Sequence, residues 1–458
     1  MAIPVALSDL NDEMQLYLQQ RLTFTPKQSY IATKLGAEPV PIVMFRIDPE
    51  REDHDNSKRL AYIPYMVARE VFPNYVFPTY EKIQFAMTTQ LRPKQIDVFN
   101  EAWPFLSMYG ACNLCLPTGF GKTVLGSLIS SVCGDRTIIV YPLMFLGKTW
   151  YNTFMKFTNC RSICIIENHN SLPIWLSKYG DIPDVLICMV TRVDWIPADI
   201  RKRYGTLIID EAHCFPTQIR LNNLLKFQPE YILALTATPF RQDDLFVTLD
   251  AMCAFSVTRP LDVPFTVTKF ETQITPETKL RKVGPDMVLD WNFLCDWLIN
   301  CEARNILICQ LIQHMLEQPW YTGDGEAKPR KILVLTHRKK HVETLSKMLT
   351  VMQIAHATFY GTAESYSDEM VVIGTFKKMG IGFDESNNVS NFNSMRFNTL
   401  ILTMSLKDGS SLIQSCGRCM RICNPAIIDC VDSMPLLQRH WRERKKCYAA
   451  LGATFLEN

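Results

Sequence analysis

The sequence predicts an α/β fold of two tandem domains with parallel sheets, preceded by a small N-terminal accessory region. Three observations carry this. The 458 residues exceed the usual size of one hydrophobic core. From about Leu114 to Phe240, short β-branched apolar runs alternate with longer amphipathic stretches, and a second such set begins near Lys331. The runs are nearly continuous in apolar residues, as strands buried on both faces of a sheet must be.

In the first set the expected strands are 112–116, 137–141, 184–188, 206–210 and 231–235. In the second they are 331–336, 356–360, 370–374 and 399–403. Between the sets lie an extended segment, 264–270, and an aromatic-rich helical stretch from Met287 to Glu317. Pro41, Pro64, Pro73 and Pro78 break the first 85 residues into short pieces. The expected organisation is therefore an accessory region 1–85, a first domain 86–255, a connection with a helical segment 256–330, and a second domain 331–458.

Composition excludes several classes. With 47% hydrophobic and 21% charged residues, the chain is neither disordered nor fibrous. No run of about eighteen apolar residues occurs and no signal-peptide pattern opens the chain, so the expectation is a soluble, intracellular protein without membrane contact. The sixteen cysteines are scattered through apolar runs, which fits a reducing compartment. A net charge of +2 gives no global pull on a polyanion, so binding of nucleic acid has to come from local patches. The densest basic run, Arg439 to Lys446, reads either as a solvated helix face or as a phosphate-contacting surface.

The chemistry concentrates where the strand ending at Leu116 runs into Pro117-Thr118-Gly119-Phe120-Gly121-Lys122-Thr123 and then into an apolar helix. The glycines let backbone N–H groups curl around an anion, and the helix N-terminus favours negative charge. Lys122 reaches terminal phosphates, and the Thr123 hydroxyl is a ligand for Mg²⁺. Farther on, Asp210 and Glu211 close a buried strand, the end at which open α/β sheets bind ligands. In that position Asp210 is a second Mg²⁺ ligand, and Glu211 orients and deprotonates an attacking water. ATP with Mg²⁺ is the expected cofactor set.

Asp210-Glu-Ala-His213 resembles the DExH signature of superfamily 2 helicases, and the family's remaining motifs follow in order between about residues 88 and 423. The resemblance implies two RecA-like domains and an ATPase coupled to movement along nucleic acid, with His213 joining the catalytic set. It implies that Gln95, in Leu91-Arg-Pro-Lys-Gln95, reads adenine, and that Thr236, Thr238 and Gln414 couple hydrolysis to movement. Pro142, Thr191, Arg338, Tyr360 and Thr375 fall where the family contacts nucleic acid, and Gly382-Phe-Asp384 continues the motif that holds Thr375. Arg418 and Arg421 correspond to its arginine fingers, which stabilise charge on the γ-phosphate. The position that usually carries the first glycine of the phosphate loop is Leu116 here.

Within that superfamily the sequence is most similar to the transcript-release helicases of poxviruses and other large DNA viruses. This implies DNA as the polymer, with RNA as the alternative, and a viral RNA polymerase with its termination or elongation factors as partners. Host cytoplasm or virion is then the implied location. Repair and branch-migration helicases, a duplex translocase and a nucleotide-gated scaffold are the competing functions.

Other constellations carry less. Cys112/Cys115 lie in a strand that points their thiols to opposite faces, and Cys416/Cys419 sit inside the arginine motif, so zinc is not expected. Trp291, Phe293, Trp297 and Trp320 read as core packing rather than a stacking platform. His337 and His341 read as surface or backbone-contact residues.

Overall fold

Runs such as Thr137-Ile-Ile-Val-Tyr141 and Thr206-Leu-Ile-Ile-Asp210 have no polar face, and in the computed structural model every residue of both is buried in a parallel sheet. The structure describes residues 1–27, 38–48, 59–237, 243–283, 286–379, 385–390, 392–393, 395–407 and 409–456. The chain divides into two compact units, Met1–Arg259 and Pro260–Asn458.

The first unit is built on seven parallel strands: β1 (Ala111–Cys115), β2 (Thr137–Tyr141), β3 (Ile163–Ile166), β4 (Val185–Met189), β5 (Thr206–Asp210), β6 (Tyr231–Thr236) and β7 (Ser256–Thr258). Their order across the sheet is β7-β1-β6-β5-β2-β4-β3. The helices α1 (Pro93–Tyr109), α2 (Lys122–Cys133) and α3 (Phe145–Phe157) are among those that connect and flank them. β3 and β7 are absent from the sequence reading because each is short and lies at a sheet edge.

Residues before α1 do not form a separate core. Strands Ala2–Ala6, Arg46–Ile47 and Leu60–Pro64 make a small antiparallel sheet whose apolar side joins the cluster that holds Ile138, Leu207 and Leu224. The Ala2 amide donates to Phe227 O at 2.9 Å, and the Tyr65 hydroxyl to Glu230 O at 2.7 Å. Gly110 closes α1 at φ +75°, pressed so closely by the Tyr65 ring that a Cβ has no room.

The second unit repeats the plan with β8 (Phe265–Glu271), β9 (Ile332–Thr336), β10 (Ala357–Phe359), β11 (Val371–Thr375), β12 (Thr399–Leu402), β13 (Ala426–Val431) and β14 (Ala453–Leu456), all parallel, in the order β10-β11-β9-β12-β13-β8-β14. Two seven-stranded parallel sheets with flanking helices are the tandem RecA-like architecture. The segment expected as a connection is largely part of this unit. β8 is an interior strand between β13 and β14, and the helical stretch begins instead as strand, Asp286–Leu289 pairing antiparallel with Leu280–Val283, before α4 (Trp291–Asn300) and α5 (Glu302–Glu317). Asp290 starts α4 by accepting from the Asn292 and Phe293 amides.

Two buried arginines of this unit are each paired with a buried carboxylate. Arg304 on α5, with no exposure, forks onto Asp432 at 2.7 and 3.1 Å, and the Thr272 hydroxyl donates to the same carboxylate at 2.7 Å. His341, expected as a surface or backbone-contact residue, is fully buried: it lies on α6 (Lys339–Val351) with Nε2 3.0 Å from Asn305 Oδ1. The reason is helical phase, since 341, 342, 345 and 349 share the face packed on the sheet. Part of the basic C-terminal run is likewise structural. On α8 (Pro435–Ala450), Arg444 is buried and forks onto Asp429 at 2.7 and 2.8 Å, while Arg439, Arg442, Lys445 and Lys446 remain exposed.

Candidate functional site

β1, β6 and β5 are adjacent and parallel, so the turn after β1, Thr236 and Asp210 come together at the C-terminal ends of the strands. The Leu116 amide donates to Thr236 O at 2.9 Å, fastening the start of the phosphate loop to β6. The loop then turns through Gly119 (φ +81°) and Gly121 (φ +94°), conformations that side chains disfavour, before α2 begins at Lys122. Lys122 Nζ donates to Leu116 O at 3.0 Å across the loop.

Gln95 braces the loop from α1. It is buried, its Oε1 accepts from the Arg92 amide at 3.0 Å, and its Nε2 donates to Phe120 O at 3.1 Å. The Arg92 guanidinium also donates to Phe120 O. A Cβ on Gly121 would overlap the Gln95 amide, so this position needs glycine for packing as well as for its φ.

Asp210 is almost completely buried. Its Oδ2 accepts from the Trp150 indole N–H at 2.8 Å and its Oδ1 from the Glu211 amide at 2.9 Å. Burial, then the neighbouring Glu211 carboxylate, raise its pKa well above the usual carboxylate range, against the pull of the Trp150 hydrogen bond and the Lys122 charge. Glu211 is held at φ +52°, a strained conformation for a non-glycine residue. Its Oε2 is buried, has no hydrogen-bond partner among the described residues, and lies 3.5 Å from His213 Nδ1. His213 Nδ1 is also 3.0 Å from the Thr236 hydroxyl, which links the acidic motif to the end of β6.

These donors fit a divalent cation. Asp210 and Thr123 offer hard oxygen ligands, and a carboxylate whose charge is disfavoured by burial and by a second carboxylate is one that a cation stabilises.

The other expected residues are spread over both units. Thr191 is exposed after β4, whereas Pro142 is buried and the exposed side chains of its turn are Met144 and Phe145. Arg338 is engaged within its own unit, donating to Asp296 at 2.6 Å and Asn292 at 3.0 Å on α4. Thr375 is buried, its hydroxyl accepting from the Lys378 amide at 3.3 Å, and the Tyr360 hydroxyl donates to Glu343 at 3.3 Å. Pro142 directly follows β2, and Thr375 is the last residue of β11. Gln414 is buried on α7 (Gly409–Cys416), Arg418 is buried in the turn that follows, and Arg421 is partly exposed. Thr238 and Gly382 to Asp384 lie outside the described residues.

Two participants escape the sequence reading. Arg92 is quoted there only as part of a motif, and Trp150 carries no spacing signal at all, since sixty residues separate it from Asp210.

The family model of the type III restriction enzyme res subunit matches residues 88–241. Protein 161L of Invertebrate iridescent virus 6, which bears a helicase name, is 26% identical over 416 residues, spanning 86% of this chain and 88% of that protein. Protein 055L of Frog virus 3, also named as a helicase, is 25% identical over 399 residues, spanning 86% and 85%. The DNA 3′-5′ translocase XPB2 of Sulfurisphaera tokodaii is 30% identical over 131 residues, 28% of this chain and 27% of that protein.

Proposed function

We propose that this chain, which belongs to the superfamily 2 helicases and is similar to those of large DNA viruses, is a DNA-stimulated ATPase that moves along or unwinds DNA. The observation that carries the reading is the convergence of the phosphate loop, the Asp210-Glu211 pair and Thr236 at the C-terminal ends of adjacent strands, tied together by the Leu116–Thr236 and His213–Thr236 hydrogen bonds. In this reading Gly119, Gly121 and the first amides of α2 bind the phosphates of ATP, and Lys122 exchanges its loop carbonyl for the terminal phosphates. Asp210 and Thr123 hold Mg²⁺, which when bound neutralises phosphate charge. Glu211 takes the proton of the attacking water, and its Oε2, which accepts no hydrogen bond from the described residues, is the atom for that task. Arg418 and Arg421 supply positive charge to the γ-phosphate, and Gln95 shapes the loop as well as reading the base.

DNA is favoured over RNA by the printed name of the archaeal relative, a DNA translocase. Work in viral transcription, with an RNA polymerase and its termination or elongation factors as partners, extends the likeness to viral helicases one step further. No described helix is long and apolar enough to cross a membrane.

The test is ATP turnover measured in parallel with no polymer, single-stranded DNA, duplex DNA and RNA. Stimulation by DNA, abolished in Lys122→Ala and Glu211→Gln, is the expected result. Stimulation by RNA alone overturns the DNA assignment, and turnover that survives both substitutions overturns the site.

A further inference from the structure

Asp210 is the only residue of the acidic motif whose carboxylate is held by a side chain from another element of the described structure at hydrogen-bond distance, and that side chain is Trp150 of α3. Trp150 has no exposure and is the largest fully buried side chain described. Its N–H meets Oδ2 at 2.8 Å while the Glu211 amide meets Oδ1 at 2.9 Å, so each carboxylate oxygen is held by one donor and the group cannot rotate without breaking both.

The far edge of the same indole rests on α2. A Cβ built at Gly126 would come within 2.8 Å of Trp150 Cη2 and 3.4 Å of Cζ3. Gly126 is one helical turn beyond Thr123. Trp150 therefore touches both elements that carry the expected metal ligands: the end of β5 with Asp210 through its nitrogen, and α2 with Thr123 through its six-membered ring. Gly126 has an ordinary helical φ, and what its lack of a side chain provides is room for that ring.

We propose that Trp150 is a positioning residue for the divalent cation: it fixes the orientation of the Asp210 carboxylate and, as a rigid spacer seated on Gly126, sets the distance between Asp210 and Thr123. This rests on the nucleotide-site reading above and adds to it a residue outside the phosphate loop and the acidic motif. Partners that orient a metal-ligating group are commonly worth about 10- to 100-fold in metal affinity. An indole N–H suits the role because it only donates, and so holds the carboxylate in its acceptor form.

The experiment measures Mn²⁺ binding by electron paramagnetic resonance on the full chain in the presence of ADP, alongside ADP binding in chelator. Trp150→Phe removes both the donor and the outer ring edge that rests on Gly126. Replacement of Trp150 by benzothienylalanine keeps the bicyclic shape and exchanges N–H for sulfur, and serves if the phenylalanine variant fails to fold. Both are expected to weaken Mn²⁺ binding about tenfold and to leave metal-free ADP binding within about twofold, whereas a purely packing role spares the benzothienyl variant. Combined with Asp210→Asn, the benzothienyl replacement is expected to cost nothing further, since the carboxylate that the N–H orients is gone. Wild-type Mn²⁺ affinity in the benzothienyl variant, or full additivity of that replacement with Asp210→Asn, overturns the proposal. Failure of the wild-type chain to bind ADP at all overturns instead the nucleotide-site reading.

Discussion

Replacing His341 by Gln is expected to make the second unit more resistant to acid. The imidazole is fully buried, with Nε2 donating to Asn305 Oδ1 and Nδ1 lacking a hydrogen-bond partner among the described residues. Burial first, then the Arg304 and His337 charges, lower its pKa from 6.5 to about 3. The unfolded chain therefore binds a proton that the folded chain refuses. Stability is intact above the unfolded value and is lost as the pH falls from 6.5 toward 3. Between pH 8 and pH 5 the loss from this one group is about 2 kcal/mol. Urea unfolding followed by tryptophan fluorescence, with a slope of roughly 2 kcal/mol per molar, reads this as a midpoint about 1 M lower at pH 5. In His341→Gln a carboxamide still donates to Asn305 but does not titrate, so the second unit's midpoint should move less with pH by that amount. An unchanged pH dependence in the variant would refute the assignment of acid sensitivity to this buried ring.

Three further outcomes are expected. Asp432→Asn leaves the fully buried Arg304 guanidinium without its counter-charge, and should lower the stability of the second unit by about 3–5 kcal/mol, measured by calorimetry; a change under 1 kcal/mol would mean that the pair is not closed in solution. Gln95→Ala removes the bonds to Phe120 O and Gly121 O, and should raise the KM for ATP roughly tenfold, in keeping with one or two neutral hydrogen bonds, with a smaller effect on kcat. Lys122→Ala should abolish ATP turnover without altering the far-ultraviolet circular dichroism, because Lys122 is the first residue of α2 and alanine is a good helix former there.

Much of the site was legible in the sequence because its parts are local. A strand, a glycine loop and a helix are consecutive in the chain, so spacing alone placed Gly119, Gly121, Lys122 and Thr123. The acidic pair was legible for a similar reason: Thr206 to Ile209 is too uniformly apolar to be anything but a buried strand, and carboxylates at its end must face a ligand or water. Short edge strands such as β3 and β7 were not legible, since four or three residues give too little pattern to separate strand from loop.

What the sequence by itself determined is the set of chemical groups and the two parallel sheets that carry them, for period and composition act along the chain. What only the tertiary structure decided is which groups meet across it. Trp150 reaches Asp210, Gln95 braces Gly121, and Arg304 closes on Asp432 over separations that no local pattern encodes. The same holds for direction: His341 and Arg338 carry groups suited to a surface contact, yet packing turns one into the core and ties the other to α4. Hydrogen bonds and burial depend on neighbours in space, and a linear pattern specifies neighbours only within a few residues.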